Sequence, residues 1–148
     1  MKNSTTILSL GVAILFLLTS GLSHAQTPLY KAGSVWTISM IKTKANMETE
    51  YLNSLKTNWK AINDEAVTQG LIMSYKILEG AGANPEDYDV MLMVETKNMA
   101  SMEGNEEKYE AIRKKVMGGD DAMKAINTGR VNVREIYGSK MMREVIYK

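Results

Sequence analysis

The chain predicts an α+β fold in which four antiparallel strands form one sheet and helices pack on one of its faces. Three observations point there. Apolar and polar residues alternate over Ser34–Lys42 (SVWTISMIK), Leu71–Leu78 (LIMSYKIL) and Tyr88–Thr96 (YDVMLMVET), the period of a strand. Apolar residues recur at helical spacing after the first and third of these runs. A last β-prone run, Lys140–Tyr147 (KMMREVIY), closes the chain.

The first 25 residues stand apart. Lys2 gives a basic start, Ile7–Leu18 (ILSLGVAILFLL) is almost wholly apolar, and Ser23-His24-Ala25 supplies a small-residue cleavage site. That order is that of a secretory signal peptide. Its apolar run of twelve residues falls short of the roughly 20 that span a bilayer as a helix. The expectation is export to the periplasm or the extracellular space, with cleavage near Ala25. Residues 26–33, with Pro28 and Gly33, read as a short leader to a single domain over 34–148.

In the first strand Trp36, Ile38 and Met40 share one face, and Thr37 and Ser39 the other. Asn46 reads as an N-cap, with Glu48 and Glu50 in the first turn, where a helix favours negative charge. Tyr51, Leu55, Trp59, Ile62 and Ala66 form the apolar stripe of a helix near 46–69, and Gly70 reads as its C-cap. In the second strand Leu71, Met73, Tyr75 and Ile77 face one way and Ser74 and Lys76 the other. The cluster Gly80-Ala81-Gly82-Ala83-Asn84-Pro85 is a loop, short enough to suggest an antiparallel hairpin into the third strand. There Val90, Leu92 and Val94 oppose Met91, Met93 and Glu95.

A second helix is expected over Met99–Met117, weakened by Gly104 and broken by Gly118-Gly119. Asp120-Asp121 would cap a further helical piece running through Met123, Ile126, Arg130, Val133 and Tyr137, which Gly138 would stop. The resulting order, βαββαβ with the second helical region split, is the ferredoxin-like plan.

Composition removes several chemistries. The only histidine, His24, lies in the expected leader, and there is no cysteine. Disulfides, a Ser-His-Asp or Cys-His hydrolase and the usual zinc and iron–sulfur ligand sets are therefore not expected in the mature chain. Gly80-Ala81-Gly82 precedes a strand rather than a helix, so it is no phosphate-cradling loop. Without Lys2, 17 basic side chains balance 17 acidic ones, and no basic face marks a nucleic-acid or membrane-surface binder. No cofactor is expected. Eleven methionines remain after Met1; methionine fills irregular apolar space and suits adaptable pockets.

A sheet covered on one side leaves its other side bare. Here that face is expected to carry Met91 and Met93, with Ile72 and Leu78. An exposed apolar face implies a partner or ligand, and a second copy of the same sheet is the simplest partner.

With this element order, the Trp36-bearing first strand, the Tyr51/Trp59 helix, the Tyr88-Asp89 strand start and the closing Gly-Ser-Lys-Met-Met-Arg-Glu-Val run, the chain over 34–147 resembles the dimeric α+β barrel superfamily. The resemblance implies a homodimer of paired sheets, with a cavity between each sheet and its helices. The superfamily includes cofactor-independent monooxygenases, haem-processing enzymes and stress-responsive proteins. Haem-linked members usually ligate iron through histidine, which the mature chain lacks.

Candidate ligand-binding residues follow. Lys76 and Glu95, on neighbouring strands of the bare face, read either as an acid–base pair or as a cross-strand ion pair. Thr37, Ser39 and Ser74 are hydroxyls able to orient a ligand in an apolar pocket, or ordinary surface polarity. Trp36, Tyr51, Trp59 and Tyr75 suit a planar ligand or a core. Met91 and Met93, with Met141-Met142, offer packing surface or, less in keeping with the missing histidine and cysteine, thioethers for Cu(I). No metal site is expected. Three functions fit: an exported binder of a small apolar or aromatic molecule, a cofactor-independent monooxygenase-like enzyme on a small aromatic or quinone-like substrate, and an envelope interaction module.

Overall fold

The structure, a computed structural model, describes residues 28–148. The signal peptide expected over 1–25 lies outside the described residues, as does His24.

β1 (Tyr30–Thr43) leads to α1 (Glu48–Ser54), a π-helical segment (Leu55–Lys60) and α2 (Ala61–Thr68), which follow one another without a break. β2 (Ser74–Glu79) and β3 (Val90–Thr96) come next. After a 3₁₀ turn (Ala100–Met102) come α3 (Glu106–Met117), α4 (Asp120–Val133) and β4 (Arg134–Tyr147). The four strands form one sheet in the order β2-β3-β1-β4, and every pairing is antiparallel. This is the ferredoxin-like α+β fold that the element order implied.

Residues directly opposite one another in an antiparallel pair share a face. Thr37 faces Val94, Ser39 faces Leu92 and Ile41 faces Val90, and Tyr75 and Ile77 extend that row onto β2. This is the covered side. Ile41, Val90 and Leu92 pack with Tyr51, Leu55 and Val133. Tyr75 and Val94 pack against Ala66, Leu71, Ile72 and Ile112. Trp36, Ile38 and Met40 lie on the other side, opposite Glu95, Met93 and Met91.

The long helix ends as Gly70 implied. Gly70 sits at φ +68°. Its N–H donates to the Val67 carbonyl at 3.0 Å, and the Leu71 N–H reaches back to the Ala66 carbonyl at 2.9 Å. That is a Schellman motif, and buried Leu71 packs in the same cluster as Ala66.

Several local expectations are corrected. Asn46 is not the N-cap; Met47 holds that position, and Asn46 takes the left-handed conformation at φ 64° that turns the chain from strand to helix. Ile72 is not on the bare face: β2 starts only at Ser74, and Ile72 is buried beside Leu71. Tyr88 and Asp89 precede β3 rather than open it. The Asp89 carboxylate instead accepts the Thr43 N–H at 2.9 Å and the Thr43 hydroxyl at 2.7 Å, tying the loop to the end of β1. Gly104, at φ +70°, separates the 3₁₀ turn from α3, so 99–117 is not one helix.

The largest departure is at the C-terminus. The last helix stops at Val133, and Arg134 to Tyr137 are strand. Pairing along β1 outweighs local helical spacing here: Arg134 faces Thr43, Glu135 faces Lys42 and Ile136 faces Ile41. A register shift beside Met40 leaves Tyr137 as the extra residue of a bulge. Gly138 does not end a helix. It lies opposite Met40, whose Cε would approach a Cβ there to 3.2 Å. β1 likewise starts at Tyr30, which pairs with Tyr147, so the leader expected over 26–33 is strand in its last part.

Candidate functional site

The bare face of the sheet is built from alternate residues of all four strands. Ile38 lies at its centre and is only 5% exposed, although no helix covers that side. Neighbouring side chains shield it: Met93 opposite on β3, Lys140 opposite on β4, and Trp36 and Met40 on its own strand. Toward the edges Leu78 is 49% and Met142 51% exposed. Met40 and Met91 are direct cross-strand partners.

Polar groups also lie on this face. Lys76 Nζ lies 5.2 Å from the centre of the Trp36 ring, a cation–π distance. The Glu95 carboxylate accepts the Ser74 hydroxyl at 2.6 Å, and this bond, foremost among the causes, holds its pKa below the ordinary 4.5. Lys76 and Glu95 are not direct partners, since Ser74 faces Glu95 and Lys76 faces Met93. No ion pair joins them among the described residues. A group held below its ordinary carboxylate pKa is charged at neutral pH, so Glu95 is placed as an anion rather than as a proton donor.

The covered side holds an apolar-walled pocket of about 280 Å³ between sheet and helices. Thr37 and Val94 form its floor, Asn63 and Leu71 come from the end of the long helix, and Tyr109 comes from α3. The Thr37 hydroxyl oxygen is buried without a hydrogen-bond partner. Buried hydroxyls are nearly always partnered, and no protein group partners this one at the pocket wall. Burial pushes the Tyr109 hydroxyl above its ordinary pKa, which keeps it a neutral donor at physiological pH. Asn63 is 6% exposed and its amide donates to the Trp59 carbonyl at 2.7 Å.

The π-helical segment explains why Asn63 points inward. Strict α-helical spacing from Leu55 and Trp59 carries the apolar stripe to Ile62. The wider turn over Leu55–Lys60 advances the inward row by about one residue, and Asn63 becomes the buried position while Ile62 and Trp59 are only half-buried. Such segments interrupt helices at functional sites more often than elsewhere.

The expected ligand residues therefore divide between two surfaces. Thr37 lines the pocket, with Ser39 farther along the same covered face. Ser74, Lys76, Met91, Met93 and Glu95 share the bare face. Thr37 and Ser39 do not meet Ser74, because they share the covered row with Val94 and Leu92 while Ser74 shares the bare row with Glu95 and Trp36. Trp59 stacks edge-on against Tyr75, with ring centres 5.3 Å apart at 84°, and packs in the core with Tyr51. Met142 lies opposite Trp36 and Met141 opposite Thr37, so these two thioethers point to different faces. Asn63, Thr96, Met102 and Tyr109 also line the pocket and carry no sequence signal that would have singled them out.

Among the described residues no three His, Cys, Asp or Glu side chains gather as a metal site, and no helix is long and apolar enough to cross a membrane. The sequence matches no family model and no curated protein. A solved structure described as a dimeric ferredoxin-like protein from an uncultured marine organism is similar at 14% identity, with a TM-score of 0.45, over 80% of this chain and 90% of that one.

Proposed function

We propose that the protein is an exported homodimer that binds a small apolar or aromatic molecule bearing a hydrogen-bonding group. The pocket between sheet and helices is its binding site, and the bare sheet face is its dimer interface. The observation that carries this reading is the unpartnered Thr37 hydroxyl at an otherwise apolar-walled pocket. Such a pocket, with few polar groups set in apolar walls, is the ordinary design of a small-molecule site. Its volume of about 280 Å³ suits one or two fused rings. Thr37 and Tyr109 supply hydroxyls for the ligand's polar group, and Leu71 and Val94 contact its apolar body.

Export rests on the charged, apolar and small-residue order of residues 1–25. Dimerisation rests on the bare face, where Trp36, Met40, Met91 and Met93 would stay half in water without a partner.

Calorimetric titration with 2-naphthol tests the site. The wild-type protein is expected to bind it saturably, and Thr37→Val, which keeps the shape and removes the hydroxyl, to bind about five- to tenfold more weakly. Equal affinity in the two proteins, or no saturable binding, would overturn the assignment.

A further inference from the structure

A second pocket, of about 420 Å³, lies at the junction of α4 and β4 and shares no lining residue with the first. Arg130 from the last turn of α4, Arg134 from the start of β4 and Lys44 from the turn after β1 line it. The fold holds these cations together. The Lys44 N–H donates to the Val133 carbonyl at 2.9 Å, and the Arg134 N–H to the Arg130 carbonyl. The Arg134 guanidinium lies 5.7 Å from the centre of the Tyr51 ring, a cation–π distance.

Among the described residues no ion pair joins Arg130, Arg134 or Lys44 to a carboxylate. Glu135 also lines the pocket, and Glu50 lies beside Arg130 in an adjoining cleft, but neither pairs with it. The Arg134 Nε is buried with no hydrogen-bond partner. Burial, and after it the charge of Arg134, hold the Arg130 guanidinium below its ordinary pKa. Two guanidinium groups in mutual repulsion, one with a buried unpaired donor, are costly unless an anion joins them. Val131 and Ile136, 67% and 62% exposed, form an apolar wall beside the charges.

We propose that Arg130, Arg134 and Lys44 bind the oxyanion head of a small amphiphile, a carboxylate or phosphate carried on an apolar body that lies against Val131 and Ile136. The planar guanidinium fork matches either oxyanion through paired N–H donors. The site is independent of the Thr37 pocket and stands or falls separately from it.

The test is NMR titration of the arginine Nε–Hε signals with octanoate and, separately, with octyl phosphate. Saturable shifts at Arg130 and Arg134 with either probe support the site, and the tighter probe identifies the head group. Arg130→Gln and Arg134→Gln are each expected to weaken binding about tenfold or more, Arg134→Lys to recover only part of it, and Arg113→Gln on α3 to bind as the wild type. Should Arg134→Gln lose its fold along with the Tyr51 contact, Arg130→Gln carries the test. Absence of saturable shifts with both probes, or equal binding by Arg130→Gln and wild type, would overturn the proposal.

Discussion

Lys76 Nζ stands 5.2 Å from the centre of the Trp36 ring, on the side of the sheet that no helix covers. The ammonium sits over the indole face, where the ring quadrupole attracts it. Around them lie Met40, Met91 and Met93, and the Glu95 carboxylate beside them accepts the Ser74 hydroxyl. The methionines give such a surface apolar area to bury against its own copy, provided the long Lys76 and Lys140 side chains keep their ammonium groups at the rim.

A charge placed at the middle of that surface should therefore block association. Met91→Asp and Met93→Asp are each expected to raise the dimer dissociation constant by on the order of a hundredfold, since an unpaired carboxylate would be buried. Lys97→Asp, beyond the end of β3, should leave it unchanged. Light scattering across a concentration series measures this, and a wild-type protein that stays monomeric at micromolar concentration would refute the interface.

The unpartnered Thr37 hydroxyl predicts opposite effects on stability and binding. Without ligand it is a buried polar group with nothing to bond, so Thr37→Val should stabilise the empty protein by about 1 kcal/mol while weakening ligand. Chemical denaturation with and without 2-naphthol separates the two. A variant less stable when empty would mean that the hydroxyl is already satisfied.

Glu95 predicts a dependence on pH. Its pKa is held below the ordinary 4.5, first by the Ser74 hydroxyl, so the folded state binds fewer protons than the unfolded one near that pH. The resulting stability is fully present above 4.5 and is lost as pH falls through the lower folded value. Ser74→Ala removes the bond, so its stability deficit against the wild type should be greatest at neutral pH and shrink in acid. Urea midpoints at several pH values measure it; a deficit constant with pH would dissociate Ser74 from the Glu95 charge.

Gly70 isolates a backbone effect. A Cβ there would meet nothing within 4 Å, yet the residue sits at φ +68°. Gly70→Ala should cost about 1 kcal/mol through conformation alone. Gly80→Ala, with equally open space and no positive φ, should cost less. Thermal melts of the two variants compare them directly, and equal losses would show that the left-handed turn is not the cause.

Much of the candidate site was hidden in the sequence for identifiable reasons. Thr37 was a visible candidate because it alternates with apolar neighbours on a strand. Asn63 was not, because its burial depends on the widened turn over Leu55–Lys60, and no residue in that segment announces a π-helix. Arg130 fell on the expected helical run from Met123 to Tyr137, and Arg134 lies within that run. Only the switch to strand at Arg134 gathers them with Lys44. Ile72 fitted an extended strand by alternation, but the Schellman turn at Gly70 redirects it into the core.

From sequence alone, periodicity and turn residues determined the order of strands and helices, because those signals are local and survive without knowledge of what packs where. The methionines of β3 marked the bare side from sequence, but tertiary structure decided which face of β1 is covered. β1 carries Val35 and Ile41 on one face and Trp36, Ile38 and Met40 on the other, so alternation leaves both faces apolar and the choice open. Pairing with Val90, Leu92 and Val94, and the helices that settle on that row, make the choice. It also turns 134–137 from helix into strand, because hydrogen bonding along β1 outweighs the helical preference of four residues.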